Sequence, residues 1–286
     1  MQRDPRWTGF YFALPALVVL AALIVYPVGY TLWLSFVDDA GRYVALRNYE
    51  RMIGSPASSQ ALWNTLVYVG GSLVLQVILG TAAGILINEP FRGRGVVRSL
   101  MLIPWIVPGI VAAATWSWMF HAEFGVINYA VQAIGLADQP VGWLTEPRKV
   151  LPSLIAVNVW KMFPFVAIMV LAGLQAVPET LYEAARVDGA RFRDEVRYIM
   201  LPQLKPILVS ITLLLLIWGL NGITLIYAMT KGGPANRSLI TPIQIYKQGF
   251  EFFRFGEAAA LSIMFFAVVL VFVGIYIRAF GRREEA

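Results

Sequence analysis

Six long apolar stretches leave this 286-residue chain very little freedom of fold. They cover residues 10–36, 62–88, 98–120, 150–176, 206–230 and 258–280. About 20 consecutive apolar residues cross a bilayer core as a helix, and each stretch reaches that length. Hydrocarbon offers no water to backbone amides, so each stretch must satisfy its own hydrogen bonds as a helix. A membrane barrel would instead read as short segments of alternating polarity. With 58% hydrophobic and 14% charged residues, the chain is too apolar for a soluble α/β domain of this length. The expected fold class is an all-α membrane protein, one domain over 1–286 with six transmembrane helices. The first stretch is far longer than the core of a secretory signal, and no A-x-A site closes it. It is expected to be the first span rather than a leader.

Charge and composition narrow the function. The chain has no cysteine and one histidine, His121, which argues against a cysteine-based or multi-histidine metal site. His121 and Glu123 read as solvated residues at the outer end of the third span. The net charge of +6 comes from arginines flanking spans, and no basic stripe with interleaved aromatics suggests nucleic acid. Placing the N-terminus inside puts thirteen Lys and Arg residues on the inner side and nine on the outer. Both termini are then cytoplasmic. Residues 177–206 form a cytoplasmic loop and 231–257 an extracytoplasmic one. Within the latter, Ser238–Gly256 is too charged to span and is expected to be interfacial or re-entrant. Pro104, Pro108 and Pro164 read as kinks or as breaks near a pathway. Gly80 and Gly84 form a GxxxG that permits close helix approach.

The inner loop carries the most specific pattern, EAARVDGARFRDEVRYIMLP over 183–202. Glu179 and Glu183 sit early in an amphipathic stretch, where a helix dipole favours acids. Ala184 and Ala185 are small enough for close approach to a partner. Gly189, after Asp188, suits a tight turn. Arg191 to Tyr198 read as a second short helix, and Ile199, Leu201 and Pro202 lead into the fifth span. The spacing resembles the EAA loop of ATP-binding-cassette importer permeases, a cytoplasmic coupling helix–turn–helix. The resemblance implies that Glu183 is the acidic contact to an ATPase. It further implies that Ala184 and Ala185 pack in the ATPase groove, that Gly189 sets the bend, and that Asp188, Ile199, Leu201 and Pro202 belong to the same ATPase-coupling set.

The resemblance extends along the chain. FALPALVVLAALIVYPVGYTLWLSF and ALRNYERM are similar to the opening of the maltose-transporter type of sugar permease, and WNTLVYV to the start of its second span. MTKGGPANRS resembles that family's extracytoplasmic Gly-Gly-Pro loop, and FEFFRFGEAAALS the entry to its last span. No Gly-Lys-Ser/Thr phosphate loop occurs. The chain is therefore expected not to be an enzyme. ATP and Mg would be bound by partner chains. Implied partners are a second, homologous permease in a heterodimer, an ATPase dimer, an extracytoplasmic solute-binding protein and the bilayer. The implied location is the bacterial plasma (inner) membrane.

Two stretches are candidates for a substrate pathway. Lys161 lies inside the fourth span, where a cation is costly and faces a cavity or a partner. It is read either as a paired lysine stabilising the bundle or as a pathway residue. Trp218, Gly219, Asn221, Gly222 and Thr224 are poor lipid-facing material but could serve a sugar: indole on C–H faces, amide on hydroxyls, glycines for room. Packing through small residues is the competing reading. Resemblance to maltose-type permeases places sugar contacts at Lys161, Met162, Phe165, Gly219, Asn221 and Gly222. The expected substrate is a sugar, an oligosaccharide or a sugar-like polyol, moved by alternating access. An anionic sugar derivative or glycerol phosphate is the alternative. A secondary transporter would show intramembrane acids or an inverted repeat, and a membrane enzyme a reactive constellation; neither is evident.

Overall fold

A computed structural model describes residues 5–280 of the chain, with side chains over 10–279. Helix is the dominant structure of the described residues, joined by turns and loops, and the β structure among them is one isolated antiparallel bridge between Val37 and Tyr43. In chain order the helices are α1 (Pro5–Leu20), α2 (Tyr26–Leu34), α3 (Arg47–Ile53), α4 (Pro56–Asn88), α5 (Arg94–Ile106) and α6 (Gly109–Met119). Then come α7 (Val126–Ala133), α8 (Val150–Gln175), α9 (Glu179–Val187), α10 (Phe192–Glu195) and α11 (Leu201–Asn221). The last three are α12 (Thr224–Thr230), α13 (Thr241–Tyr246) and α14 (Phe255–Phe280).

Among the described residues, five helical stretches are long and apolar enough to cross a membrane: Phe10–Leu34, Pro56–Asn88, Val150–Gln175, Phe192–Thr230 and Phe255–Ala279. The sixth expected span, 98–120, is not one straight helix. It is the pair α5 and α6, bent by 94° at Val107–Pro108. Proline blocks helical geometry at the residue before it, and Val107 accordingly takes extended backbone, with ψ at 128°. The fifth expected span is also interrupted, at Gly222–Ile223 between α11 and α12.

The chain groups into two compact units. The first comprises Met1–Ser59 and Gln244–Val269. Its Phe10–Leu34 stretch has no buried residue, an apolar surface suited to lipid. The following turn is fixed by the buried Asn48, whose amide donates to the carbonyls of Ser35 and Val37, both at 2.9 Å. Gly256 packs against this same amide, 2.7 Å from where a Cβ would stand. Arg51 pairs with Glu257 at 3.1 Å. Gln244 donates to Ser58 at 2.9 Å, so the expected interfacial segment begins in a buried position.

The second unit comprises Gln60–Ile243 and Leu270–Ala286. Its core joins Ile85 of α4, Val166, Val170 and Leu174 of α8, and Leu204, Ile211 and Leu215 of α11, with Met200 just ahead of them. The GxxxG of α4 forms the crossing with α8. A Cβ at Gly80 would stand 2.9 Å from the Phe163 carbonyl, and one at Gly84 2.8 Å from that of Ala167. Asn64 of α4 donates to the carbonyls of Asn236 and Leu239, both at 2.9 Å, and ties down the loop after α12.

Candidate functional site

Two regions hold the residues singled out above. The first is a cavity of about 280 Å³ in the second unit. Its wall includes Lys161, Met162, Trp218, Gly219, Gly222 and Thr224, six of the eight pathway candidates. Phe165 stands one layer back, with ring centroids 5.6 Å from Trp105 and 5.2 Å from Trp218. It therefore braces the Trp218 indole rather than lining the space. Asn221 is turned away: its amide donates to the Ile217 carbonyl at 2.8 Å on its own helix, on an exposed face.

Two broken helices meet at this cavity. Gly109 opens α6 after the Val107–Pro108 break, and Gly222 ends α11; both line the space. α12 packs along α6, and a Cβ at Gly109 would touch Thr224 at 3.6 Å. Non-helical backbone at membrane depth is tolerated where protein buries it or where it lines a wet cavity. The break leaves the last carbonyls of α5 without helical partners. Lys161 Nζ donates to two of them, Val107 and Trp105, the latter at 3.5 Å. A cation at a helix C-terminus also complements the dipole. The lysine thus caps a broken helix while its stem borders the cavity.

α4 also contributes to the wall, through residues that the sequence pattern did not single out. Tyr68, Ser72 and Gln76 recur every four residues, all buried, and line the cavity. Gln76 donates to the Asn158 carbonyl at 3.3 Å, while the Ser72 hydroxyl is buried and makes no hydrogen bond. Three polar side chains at helical spacing in the apolar middle of the span were the available signal.

The second region is the inner loop. Pro178 caps α9, and Glu179 lies in its first turn. Asp188 ends the helix, and Gly189 follows at φ +84°, a left-handed turn that glycine takes without strain. The Arg191 N–H donates to Asp194 at 3.0 Å and opens α10. Arg186 Nε donates to Glu195 Oε1 at 2.8 Å and fastens α9 to α10. The Glu195 carboxylate is buried, and its hydrogen bond holds the Arg186 guanidinium above its ordinary range. Burial, then the charges of Glu195 and Glu89, push the Tyr182 phenol up. Leu181, Glu183, Ala184, Val187 and Asp188 are exposed, whereas Ala185 is half-buried. Val187 is 88% exposed, an apolar tip on a short helix.

The expected second short helix, Arg191 to Tyr198, does not stand apart. Helix continues from Phe192 through a π turn at Val196–Met200 into α11. Pro202 cannot donate backward and its ring crowds the preceding turn; widening to a π turn accommodates it without ending the helix. Ile199 is half-buried, and Leu201 and Pro202 are exposed at the foot of this continuous helix.

The chain is similar in sequence and in fold to known proteins. The trehalose/maltose transport system permease protein MalF of Thermococcus litoralis is 36% identical, the alignment covering 97% of this chain and 95% of that protein. The sulfoquinovosyl glycerol transport system permease protein SmoG of Agrobacterium fabrum is 30% identical, over 98% and 96%. A solved bacterial ABC transporter involved in import of the acidic polysaccharide alginate superposes with a TM-score of 0.85 at 24% identity, over 98% and 96%. Residues 76–285 match the family described as binding-protein-dependent transport system inner membrane component. With its apolar spans, its two broken helices around one cavity and this match over most of its length, the chain is a multi-pass membrane protein that belongs to that family.

Proposed function

We infer that this chain is one permease subunit of an ATP-driven importer for a sugar, oligosaccharide or sugar-like polyol. The observation that carries the reading is end-to-end similarity, at 36% identity, to a trehalose/maltose permease. The cavity wall is chemically suited to it. Trp218 offers an aromatic face, Ser72 an unmet hydroxyl, and Gly219 and Gly222 leave room. At about 280 Å³ it lies just below the usual range of about 300–1,000 Å³ for small-molecule sites. A second permease across a pseudo-twofold axis would supply the facing wall. Substrate would arrive from an extracytoplasmic binding protein, in keeping with the family.

The motor lies in partner chains. Two ATPases, holding ATP and Mg, would close on the helix–turn–helix of each permease and switch the cavity between outward and inward access. In this reading residues 177–206 and both termini face the cytoplasm, and 231–257 face outward. Glu183, Ala184, Asp188 and the Val187 tip form the docking surface, Gly189 sets the bend, and Ala185 packs behind. Ile199, Leu201 and Pro202 carry the motion into α11.

An anionic sugar derivative is the second reading, raised by Lys161 on the cavity wall. Binding an anion there would pull the ammonium from the carbonyls of Trp105 and Val107 and uncap α5. The neutral class needs no such exchange and fits better. The test is uptake into proteoliposomes holding both permeases and the ATPases, with the cognate binding protein outside. Accumulation of a neutral sugar that requires ATP, and that is lost in Glu183→Lys, supports the reading. Uptake driven by a proton gradient without ATP refutes it.

A further inference from the structure

A groove of about 500 Å³ lies between α11 and α14, away from the cavity wall already described. Arg197 and Lys205 line it, together with Leu201, Leu208 and Val209, and among the described residues no carboxylate does. The Tyr276 hydroxyl donates to the Val209 carbonyl at 2.7 Å and closes its far side. Neither cation forms an ion pair among the described residues. Arg197 instead lies over the Tyr198 ring, 5.5 Å from its centroid.

The order of chemistry along the groove matters. Arg197 and Lys205, with Leu201 between them, occupy the half next to the inner loop, and Leu208, Val209 and Thr212 follow toward the middle of the span. From Arg197 to Thr212 the helix rises about 22 Å. One leaflet of a bilayer, headgroup included, is also about 20–22 Å deep. Arg and Lys can lay their stems along apolar surface and lift the charged ends to the headgroup level. The geometry points to a binding site for an anionic diacyl phospholipid of the cytoplasmic leaflet, with its phosphate between Arg197 and Lys205 and one acyl chain along Leu208 and Val209. Charge of one sign at the mouth and a largely apolar floor below match that molecule and no soluble anion, which would leave the apolar half empty. This goes beyond the transport reading, and requires only that the inner-loop end face the cytoplasm.

The test is native mass spectrometry of the assembled transporter released from membranes holding phosphatidylglycerol and phosphatidylcholine. Wild type should retain phosphatidylglycerol preferentially. Each basic residue contributes roughly a fivefold preference for anionic lipid, so Arg197→Gln with Lys205→Gln should lower the selectivity about twenty-fivefold. The pair Arg197→Lys with Lys205→Arg should keep most of it, which separates loss of charge from loss of fold. A photoreactive residue at Leu201 should attach to lipid. Unchanged selectivity in the double glutamine variant overturns the proposal. So does attachment of the Leu201 probe to a second permease, which would make the groove a subunit contact.

Discussion

Lys161 carries the sharpest single-residue consequence. Its ammonium serves the carbonyls of Trp105 and Val107 at the broken end of α5. Lys161→Met leaves these acceptors unmet and should cost about 1–2 kcal/mol, seen as a lower unfolding midpoint of the purified assembly. Lys161→Arg should recover most of the loss, because a guanidinium can also cap a helix end. Unaltered stability in Lys161→Met would remove the capping role. A second residue-scale effect concerns pH. Glu146 accepts from Lys149 and from the Gly142 N–H, and these hold its carboxyl below its ordinary value of 4.5. A lowered carboxylate contributes stability that is complete above the unfolded value and is lost as pH falls through the folded one. Below about pH 4.5 the turn before α8 should therefore loosen. Proteolysis there at low pH is the readout, and Glu146→Gln should abolish its pH dependence. Sequence alone marked Lys161, Trp218, Gly219 and Gly222, because each is odd in an apolar span. It did not mark Tyr68, Ser72 and Gln76: in a membrane helix every face is apolar enough, so no hydrophobic stripe says which side turns inward.

At the scale of elements, the α4–α8 crossing and the α9–α10 hinge are the two joints to break. Gly84→Val would push a side chain into the Ala167 carbonyl and Val170. Overpacking of this kind costs about 1–3 kcal/mol, and a drop in the yield of folded, monodisperse protein would report it. The substitution Gly274→Ala, in open space on α14, should be silent in the same assay. In the hinge, Arg186→Ala strips the buried Glu195 of its partner. The lever should then lose its set angle, so that ATPase chains still assemble but hydrolysis no longer follows substrate. Arg186→Lys should restore part of that coupling. The elements themselves were largely legible from length and apolarity. The proline at 108 announced a disturbance, but a kink and a 94° turn differ only in whether neighbours hold the freed carbonyls, and the neighbour that does so, Lys161, lies 54 residues away in α8. The run-on from α10 into α11 was hidden for a related reason: Pro202 signals a stop locally, while the π turn before it absorbs the misfit.

At the scale of the whole molecule, the spans make this a membrane protein, and the broken helices give it a cavity that backbone groups can line. The loop over 177–206 turns that fold into a proposed machine part, since it offers an exposed, partly apolar surface on a fastened pair of helices that runs directly into α11. The central claim is that this loop is a cytoplasmic lever seated on an ATPase. The natural chain has no cysteine, so one placed by Val187→Cys gives a clean probe. In sealed vesicles bearing the full transporter, a membrane-impermeant thiol reagent should reach it only from the cytoplasmic side. Bound ATPase should protect it, and a short crosslinker should join it to that ATPase. Labelling from the outer side, or labelling that the ATPase does nothing to slow, would contradict the account.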